Sequence, residues 1–395
     1  MRKSLFTSST LVALLACGAV AQEPVTRTYY IAADEVAWDF APTGVNQITG
    51  EAFGEHEGFW VSSGPTRIGK VYKKAIYNEY TDASFTTLKP RPPQWEHLGI
   101  LGPLVRAEVG DTIKVVFRNN ASFPASVHPH GVFYKKDSEG AIYNDGTEGP
   151  DKADDGVPTG GTHTYEWPVP ERAGPGPRDG SSVLWMYHSH VQEVRDVNTG
   201  LMGPIIVTGP GQSREDGTPK DVDREYVIAF WEFEENLSWY VQENYNRYAS
   251  EPERVTFERI NFGDAWPIVD GEDPDFGPNF MESLNGSIYG HLPVLTMREG
   301  ERVRWYLMGS TNFEVHAPHW HGNTVVSRGM NADTLSLVTM GMLVADMTPD
   351  NVGTWLFHCH VGGHFEAGMI GRYEVLASDS PIEFPSAASS GSSSE

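Results

Sequence analysis

Trp355-Leu356-Phe357-His358-Cys359-His360-Val361 sets a cysteine between two histidines in an apolar run, and it has a twin in Trp185-Met186-Tyr187-His188-Ser189-His190-Val191. Three more echoes precede it in the same order. Arg27-Thr28-Tyr29-Tyr30-Ile31-Ala32 answers Arg224-Glu225-Tyr226-Val227-Ile228-Ala229, and 108–115 answers 298–305. His128-Pro129-His130-Gly131 answers His319-Trp320-His321-Gly322. Four ordered echoes imply two copies of one domain, 25–208 and 224–378, joined by a polar Gly/Pro-containing linker at 209–223. Runs such as Lys114-Val115-Val116-Phe117 and Arg304-Trp305-Tyr306-Leu307, bounded by turn residues, predict strands. With 41 glycines and 27 prolines to make turns, the expected class is all-β: two antiparallel Greek-key β-sandwiches. The Gly-, Pro- and acid-rich stretches 40–97 and 137–182 read as long loops.

Composition narrows the function. Against 29 Lys and Arg stand 53 Asp and Glu in 395 residues, a formal charge of -24. Such a chain repels phosphate backbones, which argues against nucleic-acid binding. Met1-Arg2-Lys3, an apolar run shorter than a membrane span and a small-residue zone form an export signal over 1–21. Two processing sites compete: a cut after Ala19-Val20-Ala21, or a lipoprotein box Leu14-Leu15-Ala16-Cys17 that leaves Cys17 lipidated. Either gives a periplasmic or extracellular protein, anchored in the second case. The Ser-rich end, 379–395, reads as disordered. Cys359 is then the one free thiol of the folded part. In an exported protein, metal ligation explains it.

At 14 histidines, about 0.5 His-x-His pairs are expected by chance. Four occur: 128/130, 188/190, 319/321 and 358/360. Alternate strand residues share a face, so each pair presents two imidazoles side by side, suited to copper or zinc. His56, His97, His163 and His291 read as structural. The last cluster adds His364 and Met369, and His316 lies three residues before His319. Two His, one Cys and a weak axial Met make a blue-copper site: His316, Cys359, His364 and Met369. Cys359 points away from its flanking histidines, so it faces one metal while His358 and His360 face others. In the first copy Ala125, Ser189 and Leu201 stand where His316, Cys359 and Met369 would, and no histidine replaces His364.

These motifs resemble the multicopper oxidases, in a two-domain form with the type 1 copper in the second domain. Leu98-Gly99-Ile100-Leu101-Gly102-Pro103 and Asn285-Gly286-Ser287-Ile288-Tyr289-Gly290 are similar to the ceruloplasmin and hephaestin branch. The resemblance implies cupredoxin-like domains and four coppers per active unit. It implies that a small reductant is oxidised while dioxygen is reduced to water, with Cys359, His358 and His360 carrying electrons inward. It also assigns His128 and His319 to the type 2 copper. His130, His188 and His360 fall to one type 3 copper, and His190, His321 and His358 to the other. Because each domain supplies four of the eight, the cluster lies at a domain–domain interface. Three copies closing a head-to-tail ring, a homotrimer, would complete it.

For the reductant, Gly363 stands where ferroxidase relatives carry an acid before the second type 1 histidine. Glu282 stands where their loop carries a histidine, and Asp270, Glu272, Asp273 and Asp275 read as solvated surface. Laccase-like oxidation of phenols or aromatic amines is therefore the expectation, with metal-ion oxidation as the alternative. Copper nitrite reductases carry the blue site in the first domain and need three catalytic histidines, which does not fit. Coagulation-factor-like A domains, the non-catalytic alternative, keep the fold and lose most coppers, whereas here only one complete ligand set is missing, from the first copy.

Overall fold

The computed structural model describes residues 24–259, 265–271, 278–310 and 314–383. The expected export signal with Cys17, residues 384–395 of the tail, and Glu272, Asp273 and Asp275 lie outside the described residues. The first half contributes β1 (Thr26–Asp39), β2 (Val71–Tyr80), β3 (Val105–Glu108), β4 (Thr112–Asn119), β5 (His128–Pro129), β6 (Thr162–Pro168), β7 (Ser182–His188) and β8 (Met202–Thr208). They form two sheets, β2-β1-β4-β6 and β3-β8-β7-β5. From the second half come β9 (Arg224–Glu234), β10 (Val255–Arg259), β11 (Ala265–Val269), β12 (Phe280–Leu284), β13 (Leu295–Arg298) and β14 (Val303–Gly309). Next follow β15 (Pro318–Trp320), β16 (Val325–Ser327), β17 (Met330–Ala332), β18 (Met342–Met347), β19 (Gly353–Cys359) and β20 (Ile370–Leu376). Their sheets run β12-β9-β14-β18-β16-β17 and β13-β20-β19-β15, beside a β10–β11 hairpin. Four strands of each second-half sheet match a first-half sheet in order, so the sequence repeat is a repeat of topology.

The class is all-β, but the sheets are mixed rather than antiparallel. β1 pairs parallel with β4, β3 with β8, β9 with β14 and β13 with β20. A parallel neighbour requires a crossover, and here the chain crosses to the opposite sheet and returns. The stretches read as loops also hold structure. β2 and a short helix, α1 (Glu55–Val61), interrupt 40–97, and β6 lies within 137–182; further short helices are α2 (Glu193–Thr199), α3 (Val241–Tyr248) and α4 (Gly362–Glu366). Lys73 and Lys74 mask the apolar alternation of β2, although Tyr72, Ala75, Ile76 and Tyr77 are buried.

Alternation in β4 is direct: Ile113, Val115 and Phe117 enter the first-half core, while Thr112, Lys114 and Val116 are more exposed. β14 is buried at every position because both of its faces are covered. Trp305 and Leu307 pack into the second-half core; Tyr306 and Met308 pack into a third core with Leu184, Met186 and Ile206 of the first half. Polar ties also cross between the halves. Arg106 meets Glu225 at 2.7 Å, Ser182 meets the Tyr306 hydroxyl at 2.7 Å, and Lys74 pairs with Glu235 where both side chains are fully buried. Removing one member of a buried pair strands the other charge. Glu235→Ala is expected to cost about 3–5 kcal/mol in urea unfolding, and an unchanged midpoint would contradict that role for the pair.

Candidate metal centre

Two groups of side chains gather at the ends of β5, β7, β15 and β19. The first lies inside the second half. Cys359, at the end of β19, is fully buried, and its Sγ lies 3.9 Å from His316 Nδ1 and 3.5 Å from His364 Nδ1. His364 is carried by the short helix α4 (Gly362–Glu366), and Met369, fully buried, follows it. The Cys359 amide donates to Met369 O at 3.1 Å, holding the two segments together. Separations of 3.5 and 3.9 Å are bridged by one ion at bond lengths of about 2.0–2.3 Å, and the sulfur-and-imidazole donor set suits copper. Burial, with some repulsion from Glu282 and Glu232, pushes the Cys359 thiol up to about 11. Burial likewise pulls His316 down to about 3, which keeps its ring neutral and its lone pair free.

The second group is the eight paired histidines, which form two matching quartets. β5 pairs with β7 so that His128 faces His188, and β15 pairs with β19 so that His319 faces His358. His130 Nε2 lies 3.0 Å from His188 Nε2, and His321 Nε2 lies 3.0 Å from His358 Nε2. Backbone carbonyls fix the other ring nitrogens. His128 Nδ1 contacts Glu139 O at 2.6 Å, and His319 Nδ1 contacts Asp333 O at 2.8 Å. His188 and His358 Nδ1 meet the carbonyls of Ser189 and Cys359 at 3.0 and 2.8 Å. Such anchoring sets the tautomer and turns Nε2 toward a metal. Burial and neighbouring imidazoles lower His130 and His358 to about 4, the neutral form that ligates. His190 and His360 complete the quartets, with ring centroids 5.2 Å from His128 and 5.0 Å from His319.

Among the described residues, no metal-sized ligand group joins the first quartet to the second. His319 and His321 line an open cavity of about 420 Å³ with Trp355. The glycine ending each His-x-His-Gly motif is dictated locally. Gly131 (φ 78°) and Gly322 (φ 74°) lie under Trp185 and Trp355, where a Cβ would come within 2.3 and 2.5 Å of the rings. Gly322→Ala is expected to cost roughly 2 kcal/mol or more in thermal unfolding; an unchanged melting temperature would refute this packing.

The structure also shows what sequence reading missed. Glu282 lies not in a solvated loop but in β12, with its side chain about nine-tenths buried. Its Oε2 sits 3.9 Å from His364 Nδ1 and has no hydrogen-bond partner among the described residues. Glu232 of β9, fully buried, places Oε1 3.4 Å from His364 Nε2 and 3.7 Å from His316 Nε2. Glu314 Oε2 is 3.9 Å from the same His364 nitrogen. Burial and mutual repulsion raise both Glu232 and Glu282 above the ordinary carboxylate range. The available signal for Glu232 was a charge inside the apolar run Ile228-Ala229-Phe230-Trp231-Glu232-Phe233. The four histidines read as structural are hydrogen-bonded: His97 to Gln94 O and the Val227 amide, His291 to Ile288 O and Thr43, His163 to Asp137 O, and His56 to Glu366 O.

Residues 98–212 and 268–379 each match a family profile described as multicopper oxidase. The chain is 43% identical over 366 residues to ferroxidase HEPHL1 of Homo sapiens, covering 91% of this chain and 30% of that protein. It is 41% identical to Homo sapiens hephaestin and 40% to Homo sapiens ceruloplasmin, covering 89% and 88% of this chain and 29% and 32% of theirs. The chain thus spans about a third of the length of these relatives. A solved multicopper oxidase superposes with a TM-score of 0.54 at 19% identity, over 89% of both chains. A blue copper oxidase from Nitrosomonas europaea gives 0.53 at 17%, over 89% of this chain and 86% of its own. At such identities the likeness is one of fold.

Proposed function

The chain belongs to the multicopper oxidases, and from that premise we propose that it oxidises a divalent metal ion, ferrous iron foremost, and passes the electrons to dioxygen. The carrying observation is the ring of carboxylates around His364: Glu232, Glu282 and Glu314. Oxygen ligands suit a hard cation, and the Glu282 oxygen, without a hydrogen-bond partner among the described residues, is poised for one. The relative named as a ferroxidase supports this reading over the phenol or aromatic-amine substrate expected from Gly363 and the acidic loop. That expectation rested on Gly363 and on Glu282 in the place of a histidine; Glu282 is buried beside His364, where a carboxylate can serve a cation instead.

In this reading His316, Cys359, His364 and Met369 hold a type 1 copper. His128 and His319 hold the type 2 copper, and the remaining six cluster histidines hold the type 3 pair. The close contacts His130–His188 and His321–His358 support the pairing; His319 also lies near enough to His321 and His358 to share an ion with them, but this reading gives it to the type 2 copper and leaves each type 3 pair one ligand short. His360 and His190 supply it from the opposite quartet. Bound copper would supply one-electron acceptance at Cys359 and, together with the copper held by the histidines, the four electrons that reduce dioxygen to water. Glu232 holds the cation one short contact from His364 Nε2, and the Nδ1 of that same ring faces Cys359 Sγ. Cys359 is covalently continuous with His358 and His360, so the residues provide an unbroken path from carboxylates to cluster.

The quartets are completed between copies, domain 1 of one chain (25–208) meeting domain 2 of the next (224–378), in a homotrimer. Support comes from the open cavity at His319 and His321, and from a third core that fixes the two halves of one chain by other faces. Export, with or without a lipid at Cys17, fits the presence of one folded thiol; no described helix is long and apolar enough to cross a membrane. Oxygen uptake by copper-loaded protein tests the substrate. Ferrous iron is expected to drive it well above a simple phenol at equal concentration. A protein active on the phenol and inert toward ferrous iron would overturn the proposal.

A further inference from the structure

The first half retains the mould of the type 1 site without its ligands. Ser189 N donates to Leu201 O at 3.1 Å, as Cys359 N does to Met369 O at 3.1 Å. Leu201 N donates to Asp196 O at 3.1 Å, as Met369 N does to His364 O at 2.9 Å. Ala125 exchanges backbone hydrogen bonds with Val157, as His316 does with Leu337. Even the sulfur's contact is kept: Ser126 N donates to Ser189 Oγ at 3.1 Å, where Ala317 N meets Cys359 Sγ at 3.4 Å. Asp196 therefore occupies the His364 position, two inserted residues having hidden the match. It lies in α2 (Glu193–Thr199), the counterpart of α4.

Asp196 is fully buried and fully engaged. Its Oδ2 accepts from Ser189 Oγ at 2.7 Å and from the Val191 and Gln192 amides at 3.0 Å each. Its Oδ1 accepts from Trp239 Nε1 at 2.8 Å, reaching across to the second half. Trp239 is clamped in turn, stacked on Phe123 at 4.9 Å and covered by the Arg195 guanidinium at 4.0 Å. A carboxylate accepting four donors forms strong, directional, charge-assisted bonds. Ser189 lies between His188 and His190, so this hub grips the strand end that carries two cluster ligands.

We propose that the Ser189–Asp196–Trp239 hub does by hydrogen bonding in the first half what a metal ion does in the second. It locks the segment bearing His188 and His190 and makes Asp196 a positioning residue for the histidine cluster. The proposal rests on the copper roles given above and adds residues that touch no metal. Outer partners of this kind typically set metal affinity by about 10–100-fold.

Ser189→Ala removes one hydroxyl from the hub, and Asp196→Ala removes its centre. For both, copper affinity would be measured by chelator competition, with visible and spin-resonance spectra recorded on the same samples. Each variant is expected to lose at least tenfold in affinity at the cluster and to show an altered type 2 signal, with the blue absorption of Cys359 unchanged. Wild-type affinity and signal in Ser189→Ala would overturn the proposal, as would a parallel loss of blue and cluster copper in that variant. A wild-type protein that binds no copper at its paired histidines would instead defeat the underlying assignment.

Discussion

Cys359→Ser is expected to remove the blue absorption and nearly all oxygen uptake of the copper-loaded protein while the paired histidines keep their metal. The expectation follows from the position of one atom. Sγ lies within 4 Å of both His316 and His364 nitrogens, and it is the only soft anion the site can supply. A thiol raised to about 11 by burial keeps its proton until a bound metal takes the thiolate and displaces the proton to solvent. Serine offers a harder oxygen that stays protonated, so the site loses both its charge and its characteristic absorption. His319 and His358 face each other through β15 and β19, whose pairing the substitution leaves intact. A Cys359→Ser protein that stayed blue would show that this ligand set is wrong.

Glu282→Ala, alone or with Glu232→Ala, is expected to lower kcat/KM for ferrous iron by roughly 10- to 100-fold per carboxylate. Each charge-assisted contact with a cation is worth about 1.5–3 kcal/mol. Turnover of a small phenol, which needs no carboxylate cage, should fall far less. The contrast between substrates separates loss of a cation site from damage to the neighbouring copper ligands. Equal losses on both substrates would point to damage at His364 and contradict the cage. In the metal-free protein the same substitutions relieve repulsion between buried carboxylates whose protonation is already raised. Removing a folded-state pKa that lies above its unfolded value should therefore raise stability at neutral and alkaline pH and leave it unchanged in acid.

Ligand spacing made much of the site legible. His-x-His pairs place both rings on one face whatever the surrounding fold, and Cys359 must then point the other way. The sulfur's company of His316 and His364 follows from this arrangement. Topology was legible as a repeat, because the echoes fall on β1 and β9, β4 and β14, β5 and β15, and β7 and β19. Strand direction was not. Parallel pairing of β1 with β4 depends on a crossover through the other sheet, which no local pattern records. β2 was hidden because Lys73 and Lys74 interrupt its alternation; Lys74 is buried against Glu235, a tertiary partner over 150 residues away. The carboxylate ring escaped for a related reason. Glu232, Glu282 and Glu314 are scattered along the chain and meet only because β9 and β12 are neighbours beside α4. Asp196 was obscured by two extra residues before Gly200, which shift it out of a count made forward from His190 but not one made back from the glycine.

Eight histidines, four from each half, are expected to form one copper cluster between neighbouring copies. Native mass measurement of the copper-loaded protein tests it most directly. A trimer holding about four copper ions per chain is expected. Substituting His128 or His319 should break copper binding at the cluster and leave the copper at Cys359 in place. A monomer that retained the full copper complement and consumed oxygen would contradict it.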